Sequence, residues 1–132
     1  MKLKSTAALI LTTLLAGTAA MAQTTAPTPD YTLSYNVGVT SDYRFRGISQ
    51  TTFDPALQAG VDFAHKSGFY LGVWGSNVNW LKDFAGAKDG NLEIDLYGGY
   101  KGAITNDLGF DVGVITYQYP SNNAPVNANT TE

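Results

Sequence analysis

Two sets of charged residues carry the plainest chemical potential in this sequence. Asp42, Arg44 and Arg46 recur at every second position in one segment; Glu93 and Asp95 do so in another, with Lys101 further along and Asp62 in a third. On an extended strand, residues two apart share a face, so each set would line a polar surface. Charges gathered on such a surface suit a pore constriction that selects solutes by sign. They equally suit a structural network that braces a narrow polar interior. Glu93 and Asp95 also have the types of an acid–base pair. Carboxylates at i and i+2 arise on any polar strand face, however, and glycosidases need a set separation across a substrate. No catalytic residue is expected, and the chain is read as a non-enzyme.

Other residues offer less. His65 is the only histidine and stands beside Lys66-Ser67-Gly68, where a surface turn explains it. With no cysteine and no second histidine, nothing supports a transition-metal site. Ser41-Asp42 and His65 have the residue types of a nucleophilic triad, without a G-x-S-x-G elbow. Asp83, Asp89 and Asn91 are oxygen donors in a loop but lack the spacing of a calcium-binding EF-hand. Trp74, Trp80 and the tyrosines could stack on sugars; interfacial anchoring accounts for most of them more simply. Asn129-Thr130-Thr131 matches a glycosylation sequon by coincidence of a short pattern. No metal and no cofactor is expected.

The elements that must position these residues read as strands. Tyr31, Leu33, Tyr35, Val37, Val39, Tyr43 and Phe45 alternate with Thr32, Ser34, Asn36, Gly38, Thr40, Asp42, Arg44 and Arg46, with only Ser41 out of phase. One face is apolar and the other polar. A run from Tyr31 to Phe45 or beyond exceeds the usual soluble strand of about 5 to 6 residues and the roughly 9 to 11 that cross a bilayer. At about 3.3 Å per residue, Tyr31 to Tyr43 spans about 40 Å, or roughly 30 Å along the membrane normal at a tilt of about 40°. That would put Tyr31 at one interface and Tyr43 and Phe45 at the other; Tyr100 on a later strand is a further candidate interfacial aromatic.

Residues 1–22 have the form of a signal peptide. Lys2 and Lys4 precede an apolar stretch from Ala7 to Leu15, and Ala20-Met21-Ala22 is a small-x-small cleavage site. The apolar stretch is too short for a spanning helix. Without Lys2 and Lys4, six basic side chains face 11 acidic ones, a net charge of −5. That balance argues against a nucleic-acid partner. No later run approaches the length of a helical span, so any crossing would be by strands. Glycines within the strand patterns (Gly72, Gly75, Gly98, Gly99, Gly113) would weaken a flat soluble sheet and suit a curved wall.

After a flexible lead-in over 23–30, about five strands are expected between 31 and 119. They are Tyr31–Phe45, Ala56–His65, Phe69–Asn79, Asn91–Lys101 and Phe110–Tyr119, with 120–132 as a loop. The third mixes aromatics on both faces, and the fifth shifts phase near Ile115, as a bulge would make it. Connections over 47–55, 66–68, 81–90 and 102–109 run long, short, long and somewhat long. Long outer loops and short periplasmic turns are the habit of bacterial barrels.

The segments NVGVTSDYRFRGISQT (36–51), PALQAGVDFAHKSGFYLGVWGSNV (55–78), EIDLYGGYKG (93–102) and DVGVITYQYP (111–120) resemble the TorF-type porin family, also called the Gcw_chp family of exported outer-membrane proteins. The resemblance covers most of the mature chain. It implies an outer-membrane channel and supplies no substrate or catalytic residue. Its members are roughly twice this length, so the chain is expected to be the N-terminal part of one, with several chains completing one barrel as the alternative. The expectation is an all-β, antiparallel, up-and-down transmembrane barrel in the outer membrane of a Gram-negative cell. Its partners would be outer-membrane lipid and small solutes passing by diffusion. Asp42, Arg44, Arg46, Asp62, Glu93, Asp95 and Lys101 would face the lumen. The alternatives are a non-channel barrel with a structural or surface-interaction role and a soluble periplasmic β-sandwich that binds a ligand.

Overall fold

A computed structural model describes residues 28–120, 122 and 127–132. The signal peptide over 1–22 and most of the lead-in lie outside the described residues. The strands, in chain order, are β1 (Tyr31–Thr40), β2 (Arg44–Phe45), β3 (Ile48–Ser49), β4 (Ala56–His65), β5 (Phe69–Asn77), β6 (Leu92–Ala103), β7 (Gly109–Gln118) and β8 (Thr130–Thr131), with a short helix α1 (Trp80–Asp83) before β6. Six of them form one antiparallel sheet in the order β1-β4-β5-β6-β7-β8, and β2 and β3 form a separate hairpin. The fold is all-β and antiparallel, each main-sheet strand beside its sequence neighbour. The sheet is open: the outer edges of β1 and β8 have no partner strand among the described residues.

The register gives the sheet two unlike faces. Tyr35 pairs with Val61, Val61 with Val73, Val73 with Leu96, and Leu96 with Thr116. Partners in register point to the same side, so this row belongs to one face. That face also carries Leu33, Val37, Val39, Leu57, Leu71, Val112 and Val114, and it is open to the surroundings; Val37 is 78% exposed and Val112 69%. Toward the end with the short turns, Tyr31 stacks on Phe63 at 5.8 Å and Tyr100 meets Phe110 at 5.9 Å. Phe69, the register partner of Tyr100, stands in the same zone.

The opposite face carries Asn36, Asp62, Tyr70, Trp74, Glu93, Asp95, Tyr97, Lys101, Asp111 and Tyr117. Its large rings lie over glycines. The Tyr97 ring covers Gly72, its register partner, and its hydroxyl donates to Asp62 one strand further on. In the opposite sense, Tyr70 lies over Gly99 and Gly113 and donates to Asp111 at 2.7 Å. Glycine leaves the room for an aromatic ring to lie along the sheet, a device that also stiffens strands with missing side chains.

The structure differs from the sequence expectations in five places. β1 ends at Thr40, not Phe45: Ser41 breaks the alternation, and Gly47 (φ 87°) and Arg46 (φ 49°) turn the chain into the β2–β3 hairpin. β7 has no bulge, because its pairing with β6 runs unbroken from Gln118 opposite Ile94 to Gly109 opposite Ala103. Ile115 is simply an apolar residue on the polar face. The fourth connection is tighter than expected, spanning 104–108 and closed by Ile104 N–H donating to Leu108 O at 2.8 Å. α1 interrupts the loop over 81–90. Finally, the tail expected as a loop contains β8, which pairs Thr130 and Thr131 with Tyr117 and Thr116.

Candidate functional site at the covered end of the polar face

The polar face is covered at one end, where β1 leaves the sheet and β6 enters it. The covering is the 41–55 connection, held in place by Asp42. That carboxylate accepts from Ser49 Oγ, from Arg44 Nε at 2.6 Å and from Thr51 Oγ1 at 3.3 Å. Ser49 Oγ accepts in turn from Phe53 N–H at 3.0 Å, and Thr51 Oγ1 from Tyr43 N–H at 3.1 Å. These bonds, led by the one from Ser49, lower the Asp42 carboxyl below its ordinary 3.8. Among the described residues, the non-glycine ones with positive φ, namely Arg46, Thr52 and Phe53, all lie in this segment. The left-handed conformation costs such residues about 1–2 kcal/mol each, so the hydrogen-bonded network holds a backbone that would not form by itself.

The second connection packs beside the first. Val78, Leu81 and Ala87 make a small apolar core, against which Tyr43, Trp80, Ala85, Tyr119 and Ala128 pack. Asn79 and Trp80 N–H groups both donate to Gln50 O, at 2.7 and 3.1 Å, and Asn79 Nδ2 donates to Thr51 O at 2.9 Å. Thr52 Oγ1 donates to Asp83.

Beneath these connections lie two carboxylates. Glu93 is 2% exposed and Asp95 7%. Tyr43 reaches down to Glu93, its hydroxyl donating to Oε1 at 2.8 Å, while its ring meets Trp74 edge-on at 5.5 Å. The Tyr119 hydroxyl also approaches Glu93. Burial and the facing Glu93 charge raise both tyrosine hydroxyls well above their ordinary value, so they stay protonated as donors. Asp95 Oδ1 is buried without a hydrogen-bond partner among the described residues. Beside Glu93, Phe45, Gln50, Tyr117, Tyr119 and Glu132 line a cavity of about 70 Å³. Phe45 meets Tyr117 at 5.9 Å, and Arg46 pairs with Glu132 at 3.1 Å.

The expected site residues therefore divide. Asp62, Glu93, Asp95 and Lys101 share the polar face of the sheet. Asp42, Arg44 and Arg46 do not lie on β1; they belong to the covering connection, and both arginines have acidic partners there. Tyr31 and Tyr100 stand on the apolar face. Tyr43 and Phe45, expected at the opposite interface, instead turn in over the polar face, because β1 stops before them. His65 lies at the far end of β4 from Asp42, with its Nδ1 2.8 Å from Ser67 Oγ, so the Ser41-Asp42-His65 grouping is not assembled. Sequence reading missed Tyr117, Tyr119, Gln50 and Glu132 as neighbours of Glu93. The i, i+2 spacing of Tyr117 and Tyr119 was the available signal for a shared face; the other residues come from segments whose folding is not periodic.

No curated protein and no solved structure matches the chain. A family model described as a bacterial protein of unknown function (Gcw_chp) matches residues 23–132, and the chain belongs to that family.

Proposed function

We propose that the chain forms part of the wall of an outer-membrane, porin-like β-barrel that passes small solutes by passive diffusion. The observation that carries this reading is the inverted arrangement of the sheet: its apolar face is bare, and its polar face is the one the chain's own connections cover. Soluble monomers rarely expose contiguous apolar patches beyond a few hundred Å². The bare face here extends across all five long strands. A ten-residue strand such as β1 is about 33 Å long, and tilted by about 40° it spans roughly the 25 Å apolar band of such barrels. The aromatics at the short-turn end suit an interfacial girdle. In lipid the free edges of β1 and β8 need partners, so closure calls for further strands, in cis or from other copies.

A non-channel barrel is the second reading, favoured by the covering connection. Tyr43 and Phe45 project over the polar face and narrow whatever lumen it lines. A soluble β-sandwich would instead cover the apolar face with another sheet. Outer-membrane fractionation with heat-modifiable gel migration is the expected behaviour of either barrel; recovery in the soluble periplasm without detergent would sink both. Conductance in planar bilayers then separates channel from plugged barrel.

A further inference from the structure

We propose that the polar face around Gly60 and Gly72 binds a neutral sugar ring, of the class of a hexopyranose unit in a small saccharide. The inference rests on the barrel reading, in which this face lines the lumen that solutes traverse. Trp74 and Tyr97 lie on the polar face, so interfacial anchoring, which belongs to the bare apolar one, does not account for them. Register brings them together. Asn36, Gly60 and Trp74 form one row across β1, β4 and β5, and Ser34, Asp62, Gly72 and Tyr97 form the next, about 7 Å along the strands. A Cβ on Gly60 would stand 2.8 Å from Asn36 Nδ2 and 3.1 Å from Trp74 Cδ1, so amide and indole close on this glycine from either side. In the next row the Tyr97 ring is laid over Gly72 with its hydroxyl on Asp62. Trp74, Tyr97 and Asp62 are half-buried and Asn36 is exposed, so all four remain within reach of a solute.

These side chains offer what a sugar ring needs. The negative face of an aromatic ring attracts the weakly positive C–H groups of a pyranose. Asp62 has no basic partner among the described residues, and Tyr97 engages only its Oδ1. A carboxylate has two acceptor oxygens, so Oδ2 is left for sugar hydroxyls. The Asn36 amide adds an acceptor and N–H donors, matching the double character of a hydroxyl. Other solutes fit less well. A simple cation has no use for the amide donors. A phosphorylated or carboxylated solute meets Asp62, Glu93 and Asp95 on one face, and a hydrocarbon leaves carboxylate and amide unpaired. Apolar ring surface with a few placed polar groups is the usual make-up of a small-molecule site. Tyr43, edge-on to Trp74 at 5.5 Å, bounds this one at the covered end. At the other end the Tyr70 ring already carries Lys101 Nζ, 5.8 Å from its centroid.

The test uses the whole chain, folded in micelles of a sugar-free zwitterionic detergent, or in buffer if it proves soluble without detergent. Maltose and cellobiose are titrated while Trp74 fluorescence is followed in Trp80→Phe, which leaves Trp74 as the one tryptophan. Sorbitol, which has hydroxyls but no ring, is the control. Magnetisation transfer from aromatic protons to the sugar C–H protons gives an independent readout on the unaltered chain. Saturable binding of at least one disaccharide is expected, with sorbitol inert. Asp62→Ala should weaken it at least about tenfold, the scale of one hydrogen bond to a charged group, and Tyr97→Leu should weaken it by removing the ring. Asn36→Ala, at an exposed position of β1, should weaken it too and serves if the others do not fold. Tyr35→Leu, on the opposite face, should change nothing. Absence of saturation by both sugars overturns the proposal, as does an equal response to sorbitol, or wild-type affinity in any folded variant of Asp62, Tyr97 or Asn36. Binding in micelles requires no conductance. A barrel that conducts without binding sugar therefore sinks this inference alone, and one that binds without conducting sinks the channel reading alone.

Discussion

Glycine and tyrosine partner each other across this sheet, and their pairing makes the polar face specific. A Cβ built on Gly99 would stand 2.6 Å from the Tyr70 hydroxyl and 2.6 Å from Val112 O; one on Gly72 would enter the Tyr97 ring. Gly72→Ala should therefore lift Tyr97, loosen its bond to Asp62 and cost about 1–3 kcal/mol as overpacking, read as a lower urea midpoint of the folded chain. Alanine at Gly38, which meets nothing within 4 Å, is the matched control and should cost little. Asp42 is the other residue whose neighbours make its role. Its carboxyl is lowered in the folded chain, so its contribution is present above the ordinary 3.8 and is lost as pH falls below that value. Protection of the Tyr43 and Phe53 amides against hydrogen exchange, relative to their intrinsic rates, should fall below about pH 4, and Asp42→Ala should show the lost protection already at neutral pH. Nothing in the sequence marked Asp42 as a hub, since its partners Ser49 and Thr51 come from a bend and not from a periodic segment.

At the level of elements, legibility followed periodicity. β1, β4 and β6 were readable because their apolar residues occupy every second position, and their faces are as the alternation implied. β5 resisted because Tyr70 and Trp74 look like a second apolar face; they are rings lying over glycines of neighbouring strands, information held in Gly60 and Gly99 rather than in β5. β7 resisted because Ile115 sits on the polar side without any bulge. β8 and α1 are too short to generate a pattern at all. The facing of β1 yields a sharp expectation in a bilayer. Val37→Arg, on the bare apolar face, should cost about 2–4 kcal/mol if the residue lies near the midplane, and Asn36→Arg, on the other face, much less. Refolding equilibria of the two variants into lipid vesicles measure the difference, and equal penalties would contradict a lipid-facing β1.

For the whole molecule, the decisive quantity is the sign of the charge that the polar face presents. Within the strands, that face carries Asp62, Glu93, Asp95 and Asp111 against Lys101 alone. The arginines that alternation placed beside them stand instead in the covering connection, where Asp42 and Glu132 offset them. Reading the sequence as one long first strand put positive and negative groups on one surface; the end of β1 at Thr40 removes the positive ones from it. In a conducting barrel this face would attract cations and repel anions, because a low-dielectric wall focuses the field of its charges into the lumen. Reversal potentials under a potassium chloride gradient should therefore show cation preference, stronger at low ionic strength, where screening is weak. Neutralising Arg44 and Arg46 should increase it by freeing Asp42 and Glu132. Asp62→Asn with Asp111→Asn should reduce it, as these carboxylates stand away from the covered end. Anion preference in the unaltered protein, or a reversal potential insensitive to both double replacements, would mean that the strand charges brace the interior without setting what passes through it.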